Sequence, residues 1–221
     1  NRYEKAILMA RHFLKAAPGH EISVVLFSDT IRKYVPFTTD IDLLDARVSG
    51  LKDQYKNVGG SSNIKQAIRE SLDFLDTNPL ARKGNIVVFS DADGMDEDFP
   101  LEIGPSVSVA IIAIATANGA PIPMRDRDGV LKGHKTYNGE QVTSKLNQQF
   151  LDKLSTQIKN YKYWIATSFS LPTSEILEFL RNKGVNGEGT NQSMRSREVL
   201  YEWWLIPAVL FLILSFAFKR L

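Results

Sequence analysis

The sequence predicts an α/β domain built as a doubly wound, mostly parallel sheet with helices on both faces. Three observations carry that reading: short apolar runs, amphipathic stretches between them, and two loops rich in Gly, Ser and Asp where a run meets a helix. Residues 22–27 (ISVVLF), 86–89 (IVVF) and 107–115 (VSVAIIAIA) are apolar without alternation, as strands buried on both faces are. Such strands alternating with helices specify a parallel sheet covered on each side.

The elements follow in order. Tyr3, Ala6, Ile7, Ala10, Phe13, Leu14 and Ala17 recur at helical spacing until Pro18-Gly19 stop the pattern. The run at 22–27 leads through Ser28-Asp29 to a hairpin partner around 33–37, and Thr39 or Asp40 caps a helix through Leu51. Ile64, Ala67, Ile68, Leu72 and Leu75 form the next helical stripe, ending before Pro79, and the run at 86–89 follows. After the strand at 107–115, Phe150, Leu151, Leu154 and Ile158 mark a helix leading to a strand at 161–166, with a last helix at 174–182. Residues 183–197 (KGVNGEGTNQSMRSR) are polar and Gly-rich, the composition of a flexible tether. The expected organisation is an α/β domain at 1–182, a tether at 183–200 and a membrane segment at 201–221.

Composition narrows the function classes. The 221 residues carry 27 basic and 25 acidic side chains mixed along the chain, so no basic stripe points to nucleic acid. The chain has no cysteine, which removes disulfides, thiolate metal sites and a Cys nucleophile. No Gly-x-x-x-x-Gly-Lys-Ser/Thr run is present, so ATP hydrolysis would belong to a partner.

At the C-terminus, residues 203–218 (WWLIPAVLFLILSFAF) are uncharged and are closed by Lys219-Arg220. At 1.5 Å per residue they span about 24 Å, enough to cross a bilayer with local thinning. Trp203 and Trp204 suit an interfacial belt and Lys219-Arg220 a cytoplasmic flank, which would place the domain in the periplasm. At the other end the chain starts directly on a helix, which reads as a fragment of a longer protein.

The loops at 59–64 (GGSSNI) and 90–94 (SDADG) sit at strand-to-helix junctions, and in open α/β sheets ligands gather beyond the carboxyl ends of the strands. Ser62 offers a hydroxyl and Asp91 a carboxylate, with Asp93 available as an outer acceptor. These are hard oxygen donors of the kind Mg2+ takes. A plainer reading stands beside this one: Ser62 or Asn63 caps a helix, and Asp91 and Asp93 cap a turn. His12, His20 and His134 fall on a helix, in a turn and in a polar hairpin, away from both loops.

The order of elements, the GGSSNI loop and the VVFSD loop resemble a von Willebrand factor A domain. That resemblance implies a metal held by an Asp-x-Ser-x-Ser motif after the first strand, a Thr in a second loop and an Asp in a third. Ser62 stands at the Thr position and keeps its hydroxyl; Asp91 stands at the Asp position. No Asp-x-Ser-x-Ser occurs in the sequence. In the family it precedes the helix that begins here at residues 1–6 (NRYEKA). The expectation is therefore a domain lacking its first central strand, with a slot between 22–27 and 86–89, and with Mg2+ bound in the full-length protein but weakly or not at all in this chain.

Residues 119–123 (GAPIP), the Asp128-Gly129 hairpin and residues 139–147 (GEQVTSKLN) are similar to the Bat-type (BatA/BatB) membrane-anchored proteins. That subfamily is associated with bacterial aerotolerance and MoxR-type AAA+ ATPases. Lys159-Asn160 depart from it, standing where a Gly pair is frequent. The resemblance implies a non-catalytic, metal-dependent protein-binding module on the bacterial inner membrane, with an acidic side chain of a partner completing the metal shell. Partners would include a MoxR-type ATPase and other A-domain proteins. The competing readings are a metal-assisted hydrolase using Asp91 and Asp93, and a chelatase-type A-domain subunit.

Overall fold

The computed structural model describes residues 2–28, 30–54, 63–77, 84–93, 101, 103–104, 106–115, 119–125, 130–166 and 170–184. Ser62, Asp29, the Asp128-Gly129 turn, most of the tether and the apolar stretch at 201–221 lie outside them. No helix among the described residues is long and apolar enough to cross a membrane.

The first half reads α1 (Arg2–Ala16), β1 (Ile22–Phe27), β2 (Ile31–Thr38), α2 (Ile41–Gln54), α3 (Ile64–Asp76), β3 (Asn85–Ser90) and β4 (Ser108–Ala113). Then come six short strands, β5 (Ala120–Pro121), β6 (Pro123–Arg125), β7 (Leu131–His134), β8 (Thr136–Tyr137), β9 (Glu140–Gln141) and β10 (Thr143–Ser144). The chain returns to long elements with α4 (Gln148–Gln157), β11 (Tyr161–Ile165) and α5 (Thr173–Gly184). Helix α5 thus runs two residues past the expected domain end at 182.

The parallel sheet has the order β11-β4-β3. Its central strand is buried at every position, which explains why β4 is apolar after its first residue, Ser108. Side chains alternate between two cores, as the two-residue period of a strand demands. Val109, Ile111 and Ala113 face α3 and α4, packing with Ile64, Ile68, Leu151 and Leu154. Ala110, Ile112 and Ile114 face the other way, against Met9 and Phe13 of α1 and Ile176 and Leu180 of α5. Strand β3 divides likewise, Ile86 and Val88 joining the first core and Val87 and Phe89 the second.

Strands β1 and β2 form a separate antiparallel pair. A third core covers it, with Ile7 and Leu14 of α1 and Leu44, Val48 and Leu51 of α2 packed on Val35. Helix α1 therefore serves two sheets: its Ile7 and Leu14 join the core over β1 and β2, while Phe13 meets Phe89 of β3 edge-on at 6.3 Å. Among the described residues no pairing joins β1 to β3, and β1, apolar except for Ser23, is only half-buried along its length. The sheet observed is thus two pieces rather than one continuous doubly wound sheet.

Helix α1 is fastened to α2 by an ion pair. Arg11 grips Asp45 through Nε at 2.6 Å and a second nitrogen at 2.9 Å, with Lys15 Nζ at 3.3 Å. The hydrogen bond from Arg11 is the main cause that holds the Asp45 carboxyl down at about 2.

Candidate functional site

Helix α3 opens with Asn63, whose side chain accepts from the Gln66 amide at 2.9 Å. The cap is therefore Asn63 rather than Ser62, which lies outside the described residues. Asp91 follows β3 directly, at the carboxyl end of a strand paired to β4 over its whole length.

The backbone around Asp91 is held from three sides. The Ser90 carbonyl accepts from Ile114 of the neighbouring strand at 2.7 Å, and the Ser90 hydroxyl accepts from the Ala92 amide at 3.2 Å. Ala92 is fully buried and has φ 51°, a left-handed conformation that a residue with a Cβ adopts at a cost. Its carbonyl accepts from the Asn147 amide at 2.9 Å, and the Asn147 side chain in turn caps α4 by accepting from Phe150 at 3.0 Å. The strained residue is thus fixed between a strand and a helix N-terminus, and Asp91 and Asp93 are presented on either side of it.

Asp91 keeps a side-chain exposure of 37% and, among the described residues, makes two contacts, both through Oδ2. The Ser144 hydroxyl donates to it at 3.1 Å, and a guanidinium nitrogen of Arg2 lies 3.6 Å away. Arg2 also donates to the Ser144 hydroxyl and, through its other terminal nitrogen, to the Ser144 carbonyl at 2.8 Å. Asp93 is exposed and lines a shallow cleft with Lys145, Asn147, Gln148 and Gln149. Sequence reading placed Asp91 and Asp93 here but gave no role to Arg2 or Ser144. No periodicity marks them, because the contact joins residues 142 apart in the chain.

Ser144 belongs to the base of a ribbon insert. Strand β5 pairs β10, β6 pairs β7 and β8 pairs β9, all antiparallel. Backbone bonds from Ile122 to Val142, Lys135 to Ile122 and Val142 to Lys135 stitch the three ribbons together. Asn138 (φ 51°) and Gly139 (φ 82°) form the two-residue turn of β8 and β9, the Asn-Gly pairing such turns favour. Met124, Val130, Leu131 and Tyr137 of the insert stand 49–73% exposed.

Among the described residues no three His, Cys, Asp or Glu side chains group as a metal cage. The donors present, a carboxylate and a hydroxyl 3.1 Å apart, fit a hard cation in kind. They form part of a shell, with a guanidinium already beside it. His12 and His20 are exposed; His20 meets only the Ala17 and Pro18 carbonyls, and His134 lies on β7.

Residues 1–94 match the von Willebrand factor type A domain family. Over those residues, a little under half of the chain, the sequence is similar to that family. Two solved structures show the same fold. An aerotolerance-related membrane protein from Bacteroides fragilis NCTC 9343 is 16% identical, with a TM-score of 0.65 over 81% of this chain and 88% of that one. The conserved hypothetical protein BatB from Bacteroides thetaiotaomicron is 15% identical, with a TM-score of 0.61 over 82% and 87%. No curated protein matches the chain significantly. The similarity to these two structures covers about four-fifths of this chain, so the shared fold runs past residue 94.

Proposed function

We propose that this A domain is a non-catalytic, membrane-anchored protein-binding module whose site is completed by Mg2+ held by Ser62 and Asp91. When bound, the cation supplies an open coordination position for an acidic side chain of a partner. The chain's own residues do the positioning: the buried left-handed Ala92 fixes the loop, and Ser144 orients the Asp91 carboxylate. The observation that carries the reading is Asp91 itself, a partly exposed carboxylate at the carboxyl end of the parallel strand β3, where open α/β sheets bind ligands.

The binding reading needs no general base, whereas hydrolysis needs one positioned near the metal. Arg2 and Ser144 are the described neighbours of Asp91. The fold shared with an aerotolerance-related membrane protein and with BatB supports a Bat-type setting: the bacterial inner membrane, the domain on the periplasmic side, anchored through residues 201–221. A MoxR-type AAA+ ATPase and other A-domain proteins are the proposed partners.

Calorimetric titration of the full-length natural protein with Mg2+ tests the site. Binding that disappears in both Ser62→Ala and Asp91→Ala is expected. Binding indifferent to Asp91→Ala would remove the metal assignment.

A further inference from the structure

The contact between Arg2, Ser144 and Asp91 does more than orient a carboxylate. Ser144 is 3% exposed, its hydroxyl gives its one proton to Asp91, and Arg2 wraps it by donating to both hydroxyl and carbonyl. The same guanidinium lies 3.6 Å from Asp91 Oδ2, so a positive charge already neutralises the carboxylate. We propose that Arg2 is the resident counter-cation of the site and locks the base of the ribbon insert to it, so that this lock and a divalent cation at Asp91 exclude one another.

The physical argument rests on the metal reading above and adds a competitor to it. A Mg2+ ligated by Asp91 would sit about 2 Å from a carboxylate oxygen. The guanidinium next to that carboxylate would then face two positive charges within about 4–6 Å, a repulsion that only displacement of Arg2 relieves. Displacement removes both of Arg2's hydrogen bonds to Ser144.

At the base of the ribbon that Ser144 anchors, strands β5 and β10 pair through two residues each. Beside that pairing Gly119 has φ 70° and lies so close to Lys145 that an added Cβ would fall 2.5 Å from Lys145 Cγ. The two bonds from Arg2 to Ser144 tie this base to α1. Loading of Asp91 is thereby reported to the exposed apolar residues of the insert. By linkage, whatever stabilises the locked insert weakens cation binding by the same factor.

The test uses the full-length natural protein in four forms: unaltered, Arg2→Ala, Arg2→Gln and Asp91→Asn. Mg2+ affinity is measured by calorimetry and amide exchange is followed at residues 143–145. Arg2→Ala is expected to bind Mg2+ about tenfold more tightly, a gain that loss of a merely structural contact would not produce. Its residues 143–145 should exchange, without metal, as fast as those of the Mg2+-saturated unaltered protein, and added Mg2+ should not change them further. Arg2→Gln keeps a donor for Ser144 without the charge. It should also bind more tightly while residues 143–145 stay protected, and it keeps the test open if the Ala variant fails to fold. Unchanged or weaker Mg2+ binding in both Arg2 variants, with binding abolished by Asp91→Asn, overturns the lock and leaves the metal reading standing. No Mg2+ binding in any of the four forms overturns both.

Discussion

Asp45 shows how single charges act in this fold. Its carboxyl is held down at about 2, below the ordinary 3.8 of a free carboxylate, chiefly by the Arg11 hydrogen bond, with burial opposing and Lys15 assisting. A depressed folded-state pKa stabilises the fold above the unfolded value and loses that contribution as pH falls through the folded one. The window is therefore about pH 4 down to pH 2. Full transmission of the shift would be worth about 2 kcal/mol, and the exposure of Arg11 (30%) and Lys15 (59%) lowers the expectation to about 1 kcal/mol. Arg11→Ala should be less stable by that amount in denaturant titrations at pH 7, and its deficit should close as pH falls from 4 to 2. A deficit independent of pH would mean lost packing rather than lost charge. Ala92 makes a second residue-scale case. It is fully buried with φ 51°, so Ala92→Val adds β-branching in the left-handed region and two methyl groups without space. A loss of about 2–4 kcal/mol in the midpoint of unfolding is expected. At this scale the sequence revealed the carboxylates but not their neighbours. Asp91 announces itself by following an apolar run, whereas Arg2 and Ser144 acquire meaning only once α1 and the insert are brought together.

Among the elements, legibility follows the strength of the periodic signal. Helices α3 and α4 lie where their apolar stripes placed them because Ile64, Ile68, Phe150, Leu151 and Leu154 fill one core against β3 and β4. Strand β4 was readable because a strand covered on both faces runs apolar from Val109 to Ala113. The ribbon insert was not. Its strands are two to four residues long, too short for any alternation to show, and a single polar hairpin was the natural expectation. Among the described residues β1 and β2 do not pair with the parallel sheet, and α1 packs on both pieces. Core and surface positions should differ sharply on substitution. Leu154, fully buried between α4 and the sheet, should cost about 2–5 kcal/mol as Leu154→Ala. Leu8, 51% exposed on α1, should stay within about 0.5 kcal/mol as Leu8→Ala. Thermal unfolding of the two variants side by side checks the contrast.

For the whole molecule, the fold and the site have different standing. The fold is read from the element order and is shared with two solved structures, and residues 1–94 match the A-domain family. The proposed partner-binding role rests on where that fold puts Asp91, and on the insert that Ser144 joins to it. With 27 basic and 25 acidic residues, net charge gives no long-range preference for a partner, so recognition has to be local. The central claim is that the partner is held through a cation at Asp91. Its most direct test is capture of membrane-protein partners by the immobilised full-length protein, compared in Mg2+ and in chelator, with Asp91→Ala beside the unaltered chain. The result expected is a specific partner retained in Mg2+, released by chelator and never captured by Asp91→Ala. The same partner retained in chelator, or captured equally by Asp91→Ala, would contradict the account.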